Sequence, residues 1–344
     1  MKKYIVISFL FVFSINYSLK AQFDTQLSNY WAVPNFFNPG YAGQSGKLEL
    51  TGLYRLQWLG IENAPKSAVV VGDMPLKLFG KQHGVGVSMY NDRIGLFKSS
   101  VLSGQFSYKH KILNGDLGIG IQLGYINESF DGSKVKLPGD DESENLQTGS
   151  NDDAIPGTEV SGSSFDAAFG LFFSKKKWYV GLSVTHLVNP KLSLTDHVDL
   201  EIPRTYYFTA GYNIQLNNPL IELQPSVLVK TVELSSLSIE QDSIVPVTKE
   251  NTLKGMWNQT QIDVSLRMVY NNLLWGGVSW RKDDAVVIML GGRFKMFEIG
   301  YAYDFPISDI RTATTGSHEL FLKYSMDMNL KKGKKGKYKS VRIL

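Results

Sequence analysis

The sequence predicts an all-β fold, a transmembrane antiparallel outer-membrane β-barrel of about 14 strands. Three observations predict it. Apolar and polar residues alternate with period two over stretches of about ten residues, long enough for a tilted membrane-spanning strand. Short turn-forming connections alternate with long polar ones along most of the chain. An export leader opens the chain, and beyond it no apolar run approaches the roughly 20 residues of a spanning helix. The 344 residues include 32 Gly, 17 Tyr and 19 Phe, a composition suited to strands. With no cysteine, disulfides and thiolate-bound metals are excluded.

Residues 1–21 read as a secretory signal peptide. Lys2 and Lys3 form its positive start, Ile5 to Phe13 its apolar stretch, and Ala21 the small residue before a cut ahead of Gln22. No Cys follows, so a lipoprotein is excluded. Residues 22–45 are rich in Pro, Asn and Gly and carry no helix signature. They read as an irregular periplasmic or lumenal lead-in to a barrel over 46–328.

The first strand sets the pattern. Leu48, Leu50, Gly52, Tyr54, Leu56 and Trp58 alternate with Glu49, Thr51, Leu53, Arg55 and Gln57. Leu117, Ile119, Ile121, Leu123 and Tyr125 repeat it against Gly118, Gly120, Gln122 and Gly124. Phe297, Ile299, Tyr301, Tyr303 and Phe305 repeat it against Glu298, Gly300, Ala302 and Asp304. The strands predicted are 47–58, 67–75, 83–91, 99–112, 116–130, 164–174, 177–188, 204–216, 220–232, 260–270, 273–281, 285–293, 297–305 and 318–328. One face is large and apolar, the other rich in glycine and charge, which suits lipid outside and a polar lumen inside. In lipid every backbone N–H and C=O must be paired within the protein, so such a sheet closes on itself.

Connections at 113–115, 175–176, 217–219, 271–272 and 294–296 are two or three residues long, and Asn114-Gly115, Asn217-Asn218 and Asn271-Asn272 are turn formers. The long connections are 131–163, 189–203, 233–259 and 306–317; those at 59–66 and 282–284 are shorter than the pattern prefers. Short turns belong on the periplasmic side, long loops outside, and an even strand number puts both termini in the periplasm. Loop 131–163 carries eight acids against Lys134 and Lys136 and reads as a solvated surface loop.

The net charge of +4 is unevenly spread. Removing the three leader lysines and the seven bases of the tail 329–344 leaves about −6 for residues 22–328. A nucleic-acid partner is therefore not expected, since such a binder spreads positive charge over a folded face. The tail reads as a basic periplasmic segment, either a solvated appendage or a contact for an acidic partner or the anionic cell wall. No catalytic, cofactor or metal site is predicted. The five histidines lack ligand spacing, and His318-Glu319 lacks the second His of a zinc helix. Gly118, Gly120 and Gly124 lie in a strand, where glycine marks close packing or a bend.

Three stretches stand out. Asn38-Pro39-Gly40-Tyr41-Ala42-Gly43 follows Gln26, Tyr30 and Trp31. Arg55 and Gln57-Trp58 lead to Ala64-Pro65-Lys66-Ser67 and then Asp73-Met74-Pro75-Leu76. Tyr303-Asp304-Phe305-Pro306 precedes Gly316-Ser317-His318-Glu319-Leu320. Together they resemble the PorP/SprF family of type IX secretion system membrane proteins, over essentially the whole mature chain. The family usually has Ala where Gly40 stands. The resemblance implies an outer-membrane barrel that supports secretion or surface anchoring of proteins with a C-terminal sorting domain, including gliding adhesins. It implies contact with outer-membrane lipid, periplasmic secretion machinery, and secreted cargo or an adhesin. Candidate contact residues are Asn38, Pro39, Tyr41, Gly43, Arg55, Gln57, Trp58, Pro65, Asp73, Tyr303, Asp304, Phe305, Ser317, His318 and Glu319. Each stretch also has a plain structural reading as a turn, an interface aromatic or a strand end. A channel for small or hydrophobic solutes, or a surface protein acting through its loops, are the rival functions.

One detail follows from closure. The first strand runs outward and the last inward, so Arg55 and Glu319 meet at similar height, and parity turns both into the lumen with Asp304. A lumenal cluster of Arg55 with Glu319, Asp304 or both is expected, because a lone buried guanidinium carries a desolvation cost that a carboxylate offsets.

Overall fold

The computed structural model describes residues 24–135, 156–195, 198–233, 237–240, 243–246 and 259–328. The leader, the basic tail and most of the acidic loop 131–163 lie outside these residues.

The first seven strands are β1 (Lys47–Leu56), β2 (Lys66–Leu78), β3 (Lys81–Ile94), β4 (Phe97–Ile112), β5 (Gly115–Asp131), β6 (Glu159–Ser174) and β7 (Trp178–Thr185). Two short strands, β8 (Lys191–Thr195) and β9 (Val198–Glu201), form a separate hairpin. The wall resumes with β10 (Thr205–Tyr212), whose two-residue continuation β11 (Ile214–Gln215) pairs with the foot of β12 (Ile221–Val232). A second hairpin joins β13 (Leu237–Glu240) to β14 (Ser243–Pro246). The last five wall strands are β15 (Gln261–Tyr270), β16 (Leu274–Arg281), β17 (Ala285–Phe294), β18 (Phe297–Pro306) and β19 (Ser317–Asp327). Each wall strand pairs antiparallel with its neighbour, and β1 pairs with β19, so 14 strands close into a barrel.

Several boundaries move. β3 and β4 run on to Ile94 and from Phe97, so the expected connection 92–98 shrinks to a two-residue turn at Gly95 and Leu96. Gly95 adopts φ 61°, the left-handed value that a tight hairpin turn needs. The expected strand 204–216 breaks at Asn213, and Pro225, across from the neighbouring Tyr212, brings no backbone donor to the ladder. The lead-in, expected to lack helix, holds short helical turns at Tyr30–Ala32, Pro34–Phe37 and Pro39–Tyr41. Pro34 and Pro39 start two of them, where a missing N–H costs nothing. A single turn is too short to show a helical period in sequence.

The alternation sorts residues as a bilayer would. Leu123 and Phe165 point outward at 67% and 79% exposure, whereas Thr51, Asp73, Gln105 and Asp166 on inward positions are buried. The buried apolar core lies inside the barrel. Leu27, Tyr30, Val33 and Phe37 of the lead-in pack on Leu53, Val69, Val71, Trp275 and Phe321 of the wall. Fully burying each such side chain contributes roughly 1.5–3 kcal/mol, so the lead-in is held as firmly as a small core.

Candidate functional site in the barrel lumen

The seam between the first and last strands carries the cluster that parity predicts. Arg55 stands opposite Glu319 in the β1–β19 register. Its Nη2 lies 2.7 Å from Asp304 Oδ2 and its Nη1 lies 3.3 Å from Glu319 Oε2. The lead-in completes the shell. The Ser28 amide donates to Glu319 Oε2 at 2.8 Å, and the Asn29 amide and side chain donate to Oε1 at 2.6 and 2.8 Å. The Ser28 hydroxyl donates to Asp304 and accepts from Arg55.

The cluster is larger than the sequence suggested. Arg281, fully buried, binds Asp263 at 2.7 Å, Asp304 at 3.1 Å and Asp284 at 3.2 Å. Neither Arg281 nor Asp263 was singled out from the sequence. The signal was there, since Asp263 and Arg281 face each other across adjacent inward strands. What the sequence lacked was the height of each strand in the wall. Two buried guanidiniums are tolerable here because carboxylates and the Ser28 hydroxyl accept from them, while lead-in amides donate to the carboxylates in turn.

The first motif lies against the opposite wall. Asn38 donates to the carbonyls of Leu171 and Leu182 and accepts from the Gly40 amide at 2.8 Å, which folds the chain into its last helical turn. Gly40 O accepts from Ser107 and from Lys109 Nζ at 2.8 Å. Glycines make room for this segment. A Cβ at Gly120 would meet the Pro39 carbonyl carbon at 2.2 Å, one at Gly118 the Gly40 oxygen at 2.1 Å, and one at Gly84 the Ala42 oxygen at 1.8 Å. Gly40 itself sits tightly: an alanine Cβ there would lie 2.9 Å from the carbonyls of Gly118 and Gly170. Tyr41 packs edge-on against Phe172 and its hydroxyl reaches Glu49 at 3.4 Å. Gly43, at φ 70°, donates its amide to Asp73 Oδ2 at 2.7 Å.

The remaining motif residues meet at the long-loop end. Gln57 donates its amide to Pro65 O at 3.0 Å, which closes the β1–β2 connection. Trp58, at φ 53°, donates its amide to the Ser317 hydroxyl at 3.1 Å, and the Leu59 amide reaches Gly316 O at 2.8 Å. The Tyr303 ring packs on Phe305 and His318, and the Tyr301 hydroxyl lies 2.6 Å from His318 Nδ1. The second and third motifs thus sew the first and last connections together across the seam. Phe305 points outward, 46% exposed. The candidates fall into three groups, and among the described residues no single pocket unites them.

The lead-in has a further anchor that sequence reasoning missed. Asp24 Oδ1 lies 3.1 Å from His186 Nε2, and the Tyr207 hydroxyl donates to Oδ2 at 2.5 Å. Lys230 Nζ donates to the Asp24 carbonyl at 2.9 Å, and His186 Nδ1 lies 3.0 Å from Asp166. Asp24 belongs to the lead-in and His186 to the connection after β7. Burial opposes charge on Asp24, but His186, Lys230 and Tyr207 outweigh it and hold the carboxyl well below the usual range. Burial likewise opposes charge on His186, but Asp24 and Asp166 outweigh it and raise the imidazole from 6.5 to about 10. The raised imidazole contributes stability in full below pH 6.5, lost as pH climbs through about 10. The lowered carboxyl contributes above its ordinary 3.8, lost as pH falls further. The melting temperature of His186→Gln should therefore fall below that of the natural protein by several degrees at pH 6. The gap should narrow steadily from pH 7 to 10. A gap that does not change with pH would show that His186 acts by shape rather than charge.

Comparison with known proteins adds the following. Residues 19–324 match the family model described as "Type IX secretion system membrane protein PorP/SprF". No curated protein matches. Among solved structures, the toluene transporter TodX of Pseudomonas putida is 12% identical, with a TM-score of 0.47, covering 89% of this chain and 95% of that one. A TodX monoaromatic hydrocarbon channel mutant is 11% identical at TM-score 0.45, covering 82% and 90%. BamA of Haemophilus ducreyi is 9% identical at TM-score 0.43, covering 81% and 70%.

Proposed function

The chain belongs to the PorP/SprF family of type IX secretion system membrane proteins, and from that premise we propose that it supports secretion or surface anchoring of proteins with a C-terminal sorting domain, gliding adhesins among them. It is an outer-membrane β-barrel of that system. The observation that carries the reading is the filled lumen. The lead-in is tied to the wall at three places, through Asp24, through Ser28 with Asn29, and through Asn38 to Gly43. A barrel whose bore is occupied by its own chain suits a scaffold or docking component better than an open channel for solutes.

In this reading the short turns and both termini face the periplasm, the long loops face outward, and the basic tail reaches periplasmic machinery. The seam loops, sewn together through Trp58 and Ser317, then form a rigid outer patch for cargo.

The test is crosslinking in native outer membranes followed by pull-down on the full-length chain. Recovery of periplasmic secretion-machinery proteins or of one large secreted adhesin is the expected result, with loss of that secreted protein from the surface on deletion of the gene. Recovery of neither, with normal secretion in the deletion strain, would overturn the proposal.

A further inference from the structure

A cavity of about 310 Å³ lies between the lead-in and the wall, at the short-turn end. That is near the lower bound for small-molecule sites. Its lining is aromatic: Tyr30, Trp31 and Tyr41 come from the lead-in, and Phe172 and Tyr179 from β6 and β7. The lead-in supplies one side of it, so the site exists only in the filled barrel.

The charged side chains that line it share one sign. Arg267, on an inward position of β15, lines the cavity. Its guanidinium carbon lies 3.4 Å over the Trp31 ring. Its hydrogen bond goes to the neutral side chain of Gln224. Among the described residues it forms no ion pair, because the nearby Glu298 is taken by Arg293 at 2.8 Å. This sets Arg267 apart from Arg55 and Arg281, each of which is ion-paired with two or more carboxylates. A guanidinium held in a low-dielectric lumen without an anion leaves its fork of donors free for one. At the mouth stand Lys175, Lys176 and Lys177, three consecutive exposed lysines in the turn between β6 and β7. Like charges lining one opening raise the local concentration of an opposite charge.

We propose that this cavity binds a carboxylate carried on an aromatic or apolar body, entering from the short-turn end past the three lysines. The carboxylate pairs with Arg267, and the body stacks among the aromatic walls. Two sources share that chemistry: a free organic acid, and the C-terminal residue of a polypeptide. The site is separate from the secretion role proposed above and does not depend on it.

The test uses the purified full-length barrel in micelles and calorimetric titration with four probes. These are phenylacetate, its neutral amide phenylacetamide, the peptide Gly-Gly-Phe with a free C-terminus, and the same peptide amidated. Each acid should bind at least roughly tenfold tighter than its amide, the difference that a charge-assisted hydrogen bond supplies. Tighter binding of phenylacetate assigns the site to a free acid, and tighter binding of the peptide acid assigns it to a chain terminus. Arg267→Gln should reduce the acid–amide ratio to near one, while Arg267→Lys should keep part of it. Equal affinity for acid and amide, no binding of any probe, or an undiminished ratio in Arg267→Gln would each overturn the site. If Arg267→Gln does not insert, replacing all three turn lysines with serine decides. Affinity for the acid should then fall several-fold at low salt, with the amide unaffected, and unchanged affinity for the acid overturns the proposal.

Discussion

Replacing Arg55 with methionine should destabilise the barrel by about 3–5 kcal/mol, the range for removing one partner of a buried ion pair. The side chain is 1% exposed and holds Asp304 at 2.7 Å and Glu319 at 3.3 Å. Without it, Glu319 keeps only the lead-in donors Ser28 and Asn29, and Asp304 keeps Arg281 and Ser28. Urea unfolding in micelles measures the loss. The double substitution Arg55→Met with Glu319→Gln should recover part of it, because the uncompensated charge is then gone. Tyr54→Leu, one residue away on the outward face at 49% exposure, should cost little. A loss under about 1 kcal/mol for Arg55→Met would mean that lumen water solvates these charges one by one, as for an exposed pair.

The second large effect concerns the glycine cradle. Gly120→Val should drive the Asn38–Gly43 segment off the wall, since even a Cβ would meet backbone at Pro39 and Gly40 within 2.2–2.3 Å. Neither partner is a flexible side chain that can swing away, so overpacking here should cost about 1–3 kcal/mol or displace the segment altogether. Displacement uncovers the lumen, so planar bilayers should record discrete conductance steps for the variant and none for the natural protein. Gly104→Val is the matched control, for a Cβ there meets nothing within 4 Å. Silent bilayers for Gly120→Val, with the lead-in still protected from protease, would show that the wall yields instead.

The fate of these glycines shows where sequence reasoning stopped. Gly118 and Gly120 were legible as positions of close packing or a bend, the two uses a strand makes of an inner-face glycine, and the structure shows close packing. What approaches them was not legible. The lead-in makes its contacts through backbone carbonyls, through Asn38, and through apolar residues spread over single helical turns, none of which leaves a period in the sequence. The Asp24 anchor escaped for a related reason. His186 and Asp166 lie on or beside β6 and β7, and Asp24 meets His186 only because the lead-in threads the bore.

The strand set, the inward and outward faces and the Arg55–Glu319 seam followed from the sequence alone, because a closed antiparallel sheet obeys a period of two and leaves parity no freedom. The three family motifs were equally plain in the chain, though not that the second and third are sewn together across the seam while the first lies against the opposite wall. Only the tertiary structure decided that the bore is filled, that Arg281 and Asp263 join the charge cluster, and that Arg267, beside an aromatic cavity, forms no ion pair among the described residues. Those facts depend on strand stagger and on where a non-repeating segment comes to rest. Both are set by the sum of many long-range contacts, which no local pattern of residues encodes.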